Sequence, residues 1–397
     1  MEQSPETRTP QPVTGAGGLL RRVLTPSTLA RLAVGWAAVA LTALAGIVDA
    51  APAPVALAGV VAVIVYCAFG VVGQAESLAV RLGEPFGTLV LTLSVVCIEV
   101  LLIAAMTLGG AQGATAARDS VTAVTMIILN LVVGACVLIA VRRGAVVPNR
   151  RGMGLYLAMI VPLGVLTFAV PHAFPGGAYP LAAGVVLAAA VAGAYAVFLA
   201  SQTGRLAHLF AEPGLRRTEG RSPETEGQGS GDRFDAPAAP GVRSPRHPEI
   251  PLRAGLLVAT VAPVSLLSHD MAGLTGTVLA AAAAPSALAG LLVAAIVFLP
   301  ESITALRAAA AGQIQRVGNL AHGALVSTVG LTVPCVLVLG VVTGEAPVLA
   351  ESPANLALLA ATAAVSGTAV ASGRLRAWHG VAHLVLFGVF AVLLVAG

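Results

Sequence analysis

Long apolar runs separated by short polar stretches make up most of this chain. A membrane-spanning helix needs about 17–25 mainly apolar residues, and about eleven runs meet that rule. Their approximate bounds are 32–48, 54–73, 86–108, 120–141, 153–171, 180–200, 252–270, 286–308, 319–343, 354–371 and 378–396. The pattern therefore predicts an all-α polytopic membrane protein.

The positions of the arginines support this topology independently. All 22 basic residues are Arg, and short cytoplasmic loops of membrane proteins are enriched in basic residues. With the N-terminus in the cytoplasm, every arginine except Arg118 falls on the cytoplasmic side. Adding or removing one helix in the middle of the chain destroys this agreement. The sequence thus predicts a cytoplasmic N-terminus and an outside C-terminus.

The N-terminal region allows two interpretations. Arg21, Arg22 and Arg31 precede an apolar run that ends in an Ala-rich segment, as in a cleavable signal peptide. The charged stretch before the run is long for such a signal, so we favour an uncleaved first helix. The resulting organisation is a cytoplasmic tail 1–31, an extra first helix 32–53, a five-helix repeat 54–201, a linker 202–251 and a second five-helix repeat 252–397.

The segment 202–251 is rich in Pro, Gly, Ser, Glu and Arg and lacks apolar periodicity. Such a composition predicts a disordered linker, either an inert connector or a regulatory element. Because five helices precede and five follow this cytoplasmic linker, the two halves have opposite orientations in the membrane. Inverted repeats are typical of secondary transporters, whose ion sites lie near the midplane where the repeats meet.

Composition narrows the class of protein further. The chain is 57% hydrophobic and 10% charged, whereas soluble domains carry about 25% charged residues. We attribute the net charge of +4 to the Arg-only bias and expect no nucleic-acid partner. The four cysteines lie in apolar runs without CxxC spacing, so disulfides and zinc are not expected. The expected partners are the lipid bilayer and small ions, with no cofactor; nothing in the sequence indicates an oligomeric state.

Two glutamates lie near the middle of long apolar runs, Glu99 in SVVCIEVLLIAAM and Glu301 in AAIVFLPESITAL. A carboxylate at the bilayer centre costs roughly 2.5–3.5 kcal/mol on insertion scales, which makes it a functional-site hypothesis by default. Each lies in the second helix of its repeat. We predict that Glu99 and Glu301 together form one cation- and proton-binding site; the alternative is a protonated structural carboxyl group.

Polar residues near each glutamate are candidate supporting ligands. Pro300 removes a backbone donor and frees a carbonyl one turn earlier, and carbonyls, hydroxyls and amides suit a hard cation. The alternatives are Ser and Thr hydroxyls bonded to their own helix and carboxylates solvated at the surface. The candidates are Glu76, Glu84, Asn130, Ser302, Gln313, Asn319, Ser327 and Thr328.

Two histidines, His322 and His383, also fall within membrane segments. Histidine changes its charge near neutral pH, so either residue could relay protons; a packed neutral histidine is the alternative. Asn130 lies inside the fourth run, where it could line the same cavity or form a hydrogen bond between helices.

These motifs together resemble those of a known family. AESLAVRLGEPFGTLVLTLSVVCIEV and its second-half counterpart PESITALRAAAAGQIQRVGNLAHGALVSTVGLTVP are similar to segments of ChaA-type cation/proton antiporters, in the calcium/cation antiporter superfamily. ARDSVTAVTMII and SGRLRAWHGVAHLVLFG match as well, so the resemblance spans the chain except for the tail and linker. It implies exchange of Na⁺, K⁺ or Ca²⁺ for protons in a bacterial inner membrane, with Glu99 and Glu301 as the family's central acidic pair.

The sequence departs from this family at three places. Gln74 stands where relatives carry His, Gly312 replaces a polar amide, and the linker is mixed in charge rather than strongly acidic. A proton role at position 74 and calcium sensing by the linker are therefore not expected.

The sequence predicts a secondary antiporter rather than an enzyme. It contains neither HExxH nor a Gly-x-Ser-x-Gly turn, which argues against an intramembrane hydrolase. A proton-uncoupled cation channel or carrier is the alternative, and the pattern does not select one cation.

Overall fold

Eleven helical segments run back and forth between two ends of a bundle. The computed structural model describes residues 20, 23–45, 51–82, 86–108, 114–144, 148–210 and 249–396. The helices are α1 (Pro26–Ala45), α2 (Ala53–Leu82), α3 (Phe86–Leu108), α4 (Ala116–Val141), α5 (Arg150–Ala173), α6 (Leu181–Thr203), α7 (Glu249–Ala281), α8 (Ala287–Ala310), α9 (Ile314–Thr343), α10 (Pro353–Ser372) and α11 (Ala377–Ala396).

The predicted fold class is confirmed. Within the described ranges ten helices are long and apolar enough to cross a membrane, and the apolar part of α3 is the shorter segment Thr92–Leu108. Each predicted run corresponds to one helix, and a single isolated bridge, Ala178 to Val348, is the one β-type pairing in those ranges.

Two helices are much longer than their apolar runs. The run 54–73 lies in α2, Ala53–Leu82, and the run 252–270 lies in α7, Glu249–Ala281. At 1.5 Å per residue the 33 residues of α7 span about 50 Å, well beyond a hydrocarbon core of about 30 Å. At the linker end the polar residues beyond the runs are helical and join the two helices, since Gln74 contacts Arg253 and Arg81 pairs with Glu249.

Several predicted boundaries also shift. Helix α1 begins at Pro26, inside the predicted tail 1–31. At the linker, residues 204–210 continue from α6, with Phe210 buried, and residues 249–251 already belong to α7. Residues 211–248 lie outside the described part of the chain.

The two halves, α2–α6 and α7–α11, pack as inverted repeats. Their first helices, α2 and α7, run antiparallel: a Cβ added at Gly70 would lie 3.2 Å from Thr260, and Gln74 contacts Arg253 further along. The last helix of each half crosses to the third helix of the other, α6 to α9 and α11 to α4. Gly330 in α9 packs against Tyr195 in α6.

The third helix of each repeat contains a π-helical segment, Met126–Val132 in α4 and Thr328–Thr332 in α9. Such segments insert an extra residue into a helical turn and frequently mark functional sites. Their matching positions bring both irregular segments into the centre of the bundle. There α4 packs against α8, which carries Glu301, and α9 packs against α3, which carries Glu99.

Candidate cation site between the repeats

Glu99 lies in the buried centre of α3 and has no solvent exposure. Its Oε2 accepts a 3.0 Å hydrogen bond from the Thr328 hydroxyl, in the π-helical segment of α9. Its Oε1 is buried and has no hydrogen-bond partner among the described residues. Thr332 lies close to the same carboxyl group, although its hydroxyl makes no hydrogen bond within the described part of the chain. Buried oxygens without partners are rare in proteins and call for a ligand, water or proton.

Glu301 lies in α8 directly after Pro300. Proline cannot donate a hydrogen bond to the carbonyl four residues earlier, so the helix backbone is locally unpaired one turn before the glutamate. Glu301 is half-buried in a cavity wall, and its Oε2 is also buried without a partner in the ranges that the structure describes. Each central glutamate therefore keeps one buried carboxylate oxygen unused.

A cavity of about 270 Å³ leads to Glu301 from one end of the bundle. We call this the linker end, because α6 ends and α7 begins there. Glu76 of α2 and Asn319 of α9 line the cavity together with Glu301. The carboxylate of Glu76 interacts electrostatically with Glu301, and Glu301 interacts with Glu99. Three carboxylates thus lead from the exposed Glu76 to the buried Glu99.

The structure separates the candidate ligands into two groups. Thr328 bonds Glu99 directly, and Ser327 and Asn319 line the cavity. Ser327 donates its hydroxyl to Ala324 O at 2.7 Å. The Asn319 amide donates to Phe210 O at 2.6 Å and accepts from Gln315 Nε2 at 3.1 Å, so Asn319 stabilises the wall rather than offering a free ligand.

The remaining candidates lie away from the two carboxylates or are bonded locally. Ser302, next to Glu301, donates to Phe298 O in its own helix at 2.6 Å. Gln313 precedes α9 at the linker end and accepts from Arg316 at 3.2 Å; it does not line the cavity. Glu84 lies outside the described residues.

Asn130 belongs to a contact between helices instead of the cavity wall. Its amide nitrogen donates to Thr362 Oγ1 at 2.9 Å, and its Oδ1 accepts from His383 Nδ1 at 2.9 Å. These bonds join the π-helical segment of α4 to α10 and α11. Both ends of the Asn130 amide are therefore engaged in contacts between helices. Thr362 was missed by sequence reasoning, since an isolated threonine in an apolar helix carries no signal.

A polar cluster lies at the opposite end of the bundle. Arg118 pairs with Asp119 at 2.8 Å and donates to Ala350 O at 3.1 Å. Glu351, just before α10, is buried; it accepts from Thr122 at 2.7 Å and from Asn355 at 2.9 Å. Sequence reasoning noted Arg118 only as an exception and missed Glu351, although an arginine alone on its side of a membrane indicates an acidic partner.

A second polar cluster joins α1, α2 and α7 at the linker end. Glu249 pairs with Arg81 of α2 and, within its own helix, with Arg253 at 3.2 Å. Arg253 donates to Gln74 at 3.3 Å, and Gln74 donates to Thr28 of α1 at 3.2 Å. Gln74 is thus a structural link between the repeats' first helices.

Comparison with known proteins agrees with this architecture. Residues 52–204 match the family described as sodium/calcium exchanger protein. The chain is 30% identical to the sodium-potassium/proton antiporter ChaA of Escherichia coli K12, over 83% of this chain and 86% of that protein. It is 32% identical to the putative ionic transporter y4hA of Sinorhizobium fredii, over 82% and 84%.

Two solved structures share the fold. The native structure of YfkE matches with a TM-score of 0.69 at 14% identity, over 92% of this chain and 100% of that one. The H⁺/Ca²⁺ exchanger CAX matches with a TM-score of 0.64 at 14% identity, over 93% and 89%. With inverted repeats, a central carboxylate pair and this level of identity to ChaA, the chain belongs to the ChaA-type antiporters of the calcium/cation antiporter superfamily.

Proposed function

We propose that this protein exports cytosolic cations, Ca²⁺, Na⁺ or K⁺, in exchange for protons, by alternating access around Glu99 and Glu301. The observation that carries the proposal is the pairing of these residues. They come from equivalent helices of inverted repeats, their charges interact, and each has one buried oxygen without a partner among the described residues.

The donor set fits a hard cation. Two carboxylates and the Thr328 hydroxyl supply oxygens, and Ca²⁺ takes six to eight oxygen ligands, often including water. Within the described ranges no three or more His, Cys, Asp and Glu side chains form a metal-binding group. A cation here would therefore keep part of its water shell, and incomplete dehydration favours the reversible binding that transport needs.

Charge balance couples the two ions. The pair carries at most two negative charges, which two protons or one Ca²⁺ neutralise. A buried charge without a partner costs several kcal/mol, so the site is stable with protons or with the cation and unstable when empty or doubly filled. Cation binding releases protons, and proton binding releases the cation.

The cavity that reaches Glu301 from the linker end supports one access state. The arginine distribution predicts that the linker end is cytoplasmic, so this conformation accepts cations from the cytoplasm. The protein would then lie in the bacterial cytoplasmic membrane with its N-terminus inside and its C-terminus outside. Proton-motive force drives export when the repeats rock and expose Glu99 and Glu301 to the other side.

Everted membrane vesicles carrying the protein test the exchange. Addition of Na⁺, K⁺ or Ca²⁺ should dissipate an imposed pH gradient, and Glu99→Gln or Glu301→Gln should abolish this response. Glu345→Gln, an exposed glutamate outside the site, serves as the matched control and should retain the response. Wild-type proton flux from either central variant would contradict the proposal, and cation flux without proton movement would indicate the channel or uncoupled carrier instead.

A further inference from the structure

A second cavity, which we call the histidine chamber, lies between α4, α5, α9, α10 and α11. It has a volume of about 50 Å³, and His322 of α9 and His379 and His383 of α11 line it. Pro148, Ile314 and Leu375, all at helix starts on the linker side, border it as well. The chamber therefore begins at the linker end, as the cation cavity does.

The chamber and the cation cavity have different walls, with no described residue lining both. Helix α9 lies between them, with Gly318 and His322 on the chamber side and Asn319 and Ser327 on the cation side. The chamber and the cation cavity are thus separate and start at the same end of the bundle.

The three histidines are almost fully buried, with exposures of 3% for His322, 1% for His379 and 3% for His383. Among the residues that the structure describes, no carboxylate or arginine lines the chamber. The neighbouring polar groups are the Tyr156 ring of α5, whose centroid lies 5.8 Å from that of His322, Asn130 of α4 and Ser366 of α10. Two arginines lie near the chamber: Arg376 contacts His379, and Arg150 bonds Val370 O at the mouth.

Hydrogen bonds fix which ring nitrogen carries the proton in each neutral histidine. His322 Nδ1 donates to Gly318 O at 3.1 Å, and His383 Nδ1 donates to Asn130 Oδ1; both rings therefore keep Nε2 as an acceptor. His379 Nδ1 lies 3.0 Å from Arg376 N and 3.3 Å from Arg376 O. In the shorter of these bonds Nδ1 accepts, which places the proton on Nε2, a buried atom without a partner in the described part of the chain.

One ring donor and two ring acceptors thus surround a common space. One water needs about 10–15 Å³ of cavity volume, so the chamber of about 50 Å³ has room for about three waters. Water that links imidazole donors and acceptors passes protons. The hard cations Na⁺, K⁺ and Ca²⁺ prefer oxygen ligands, and the described lining of the chamber holds no carboxylate.

The chamber ends beside the pocket of Glu301. Ala321, adjacent to His322, lines the small pocket next to Glu301, as do Ile128 and Val132, which flank Asn130. The same segments of α4 and α9 thus contribute residues to the chamber or its hydrogen bonds on one side and to the pocket of Glu301 on the other.

We propose that the histidine chamber is a proton-entry site for Glu301, separate from the cavity that admits the cation. This inference rests on the proposed antiport and adds a route: protons pass His379, His383 and His322 in series, while cations pass Glu76. Two routes allow a proton to reach Glu301 while a cation still occupies the wide cavity.

Proteoliposomes measure proton-coupled exchange and cation–cation exchange in the same preparation. His379→Asn and His383→Asn keep a polar group near Nδ1 and cannot carry a proton, while His208→Asn, at an exposed site, is the matched control. We expect each chamber variant to slow proton-coupled exchange at least tenfold and to leave isotope exchange of one cation for itself unchanged. The control should match the wild type in both assays.

Three results would overturn the inference. Proton-coupled exchange at wild-type rate in both chamber variants would show that protons enter elsewhere. An equal loss of both exchange modes would show that the histidines only stabilise the fold. Wild-type protein that exchanges cations without moving protons would overturn the proposed antiport itself, a result distinct from the other two.

Discussion

At the scale of single residues, the hydrogen bond from Thr328 to Glu99 is the contact that most directly tunes the site. It engages one oxygen of a fully buried carboxylate and leaves the other for a ligand. Hydrogen bonds to charged groups contribute about 1.5–3 kcal/mol, so this hydroxyl orients Glu99 as well as stabilising it.

Replacing Thr328 with Val should therefore weaken cation binding. The isosteric change removes the donor, so we expect the apparent KM for the transported cation to rise roughly tenfold or more. Thr328→Ser retains the hydroxyl and should stay near the wild type. Thr277→Val, at an exposed position bonded to its own helix, controls for the loss of a threonine. An unchanged KM in Thr328→Val would show that the hydroxyl does not support the site.

The two central glutamates could be predicted from the sequence, whereas most of their surroundings could not. A carboxylate in an apolar run is costly wherever it lies, so Glu99 and Glu301 stand out without a structure. For Ser302 and Asn130 the sequence left two alternatives open, because a polar side chain in a helix can bond its own helix, a neighbouring helix or a ligand. The structure bonds Ser302 within α8 and Asn130 to α10 and α11, a choice that depends on which helices pack together.

At the scale of elements, close helix contacts at glycine hold the repeats in register. A Cβ at Gly290 of α8 would lie 2.6 Å from the backbone of Asp119 and Ser120 in α4. Backbone atoms cannot move aside as a flexible side chain can. This contact fixes the helix that carries Glu301 against the first turn of α4.

Gly290→Ala should consequently lower the thermal stability of the detergent-solubilised protein by several degrees, because α8 and α4 must separate. Gly193→Ala is the matched control, since a Cβ at Gly193 of α6 would have no described atom from another part of the chain within 4 Å. Alanine is favoured over glycine within helices by roughly 0.5–1 kcal/mol, so the control should be neutral or stabilising. Equal melting temperatures for both variants would contradict the close contact.

The polar cluster around Glu351, at the end of the bundle opposite the linker, leads to a second prediction about stability. Glu351→Ala leaves the Thr122 hydroxyl and the Asn355 amide without their acceptor and removes the charge facing Arg118. Breaking a buried charged contact costs about 3–5 kcal/mol, so the melting temperature should fall well below that of Glu345→Ala, which alters an exposed glutamate. A similar melting temperature in the two variants would show that the contacts of Glu351 do not stabilise the protein.

Helix number and order were predictable because hydropathy and arginine placement constrain the chain independently. Helix length was not. The ends of α2 and α7 carry Gln74, Arg81 and Glu249, which lie outside the predicted apolar runs, and Arg253 at the edge of one. They remain helical because they satisfy one another across the α2–α7 interface, an arrangement that exists only when both helices are in place.

At the scale of the whole molecule, the inverted repeats assign opposite roles to the two ends of the bundle. The end from which the cation cavity reaches Glu301 is the predicted cytoplasmic side, and the opposite end carries Arg118. A phosphatase reporter, active only outside the cytoplasm, should be active when fused after Gly397 and inactive when fused after Ser230. The reverse pattern would invert the predicted direction of access.

Coupled exchange is the central claim, and reconstituted protein tests it most directly. Proteoliposomes loaded with one cation and a pH-sensitive dye, without an initial pH gradient, are diluted into cation-free buffer. If protons enter as cations leave, cation efflux acidifies the lumen. Glu99→Gln and Glu301→Gln should abolish the acidification. With the membrane potential clamped, cation efflux through the wild-type protein without any change in lumenal pH would contradict coupled exchange.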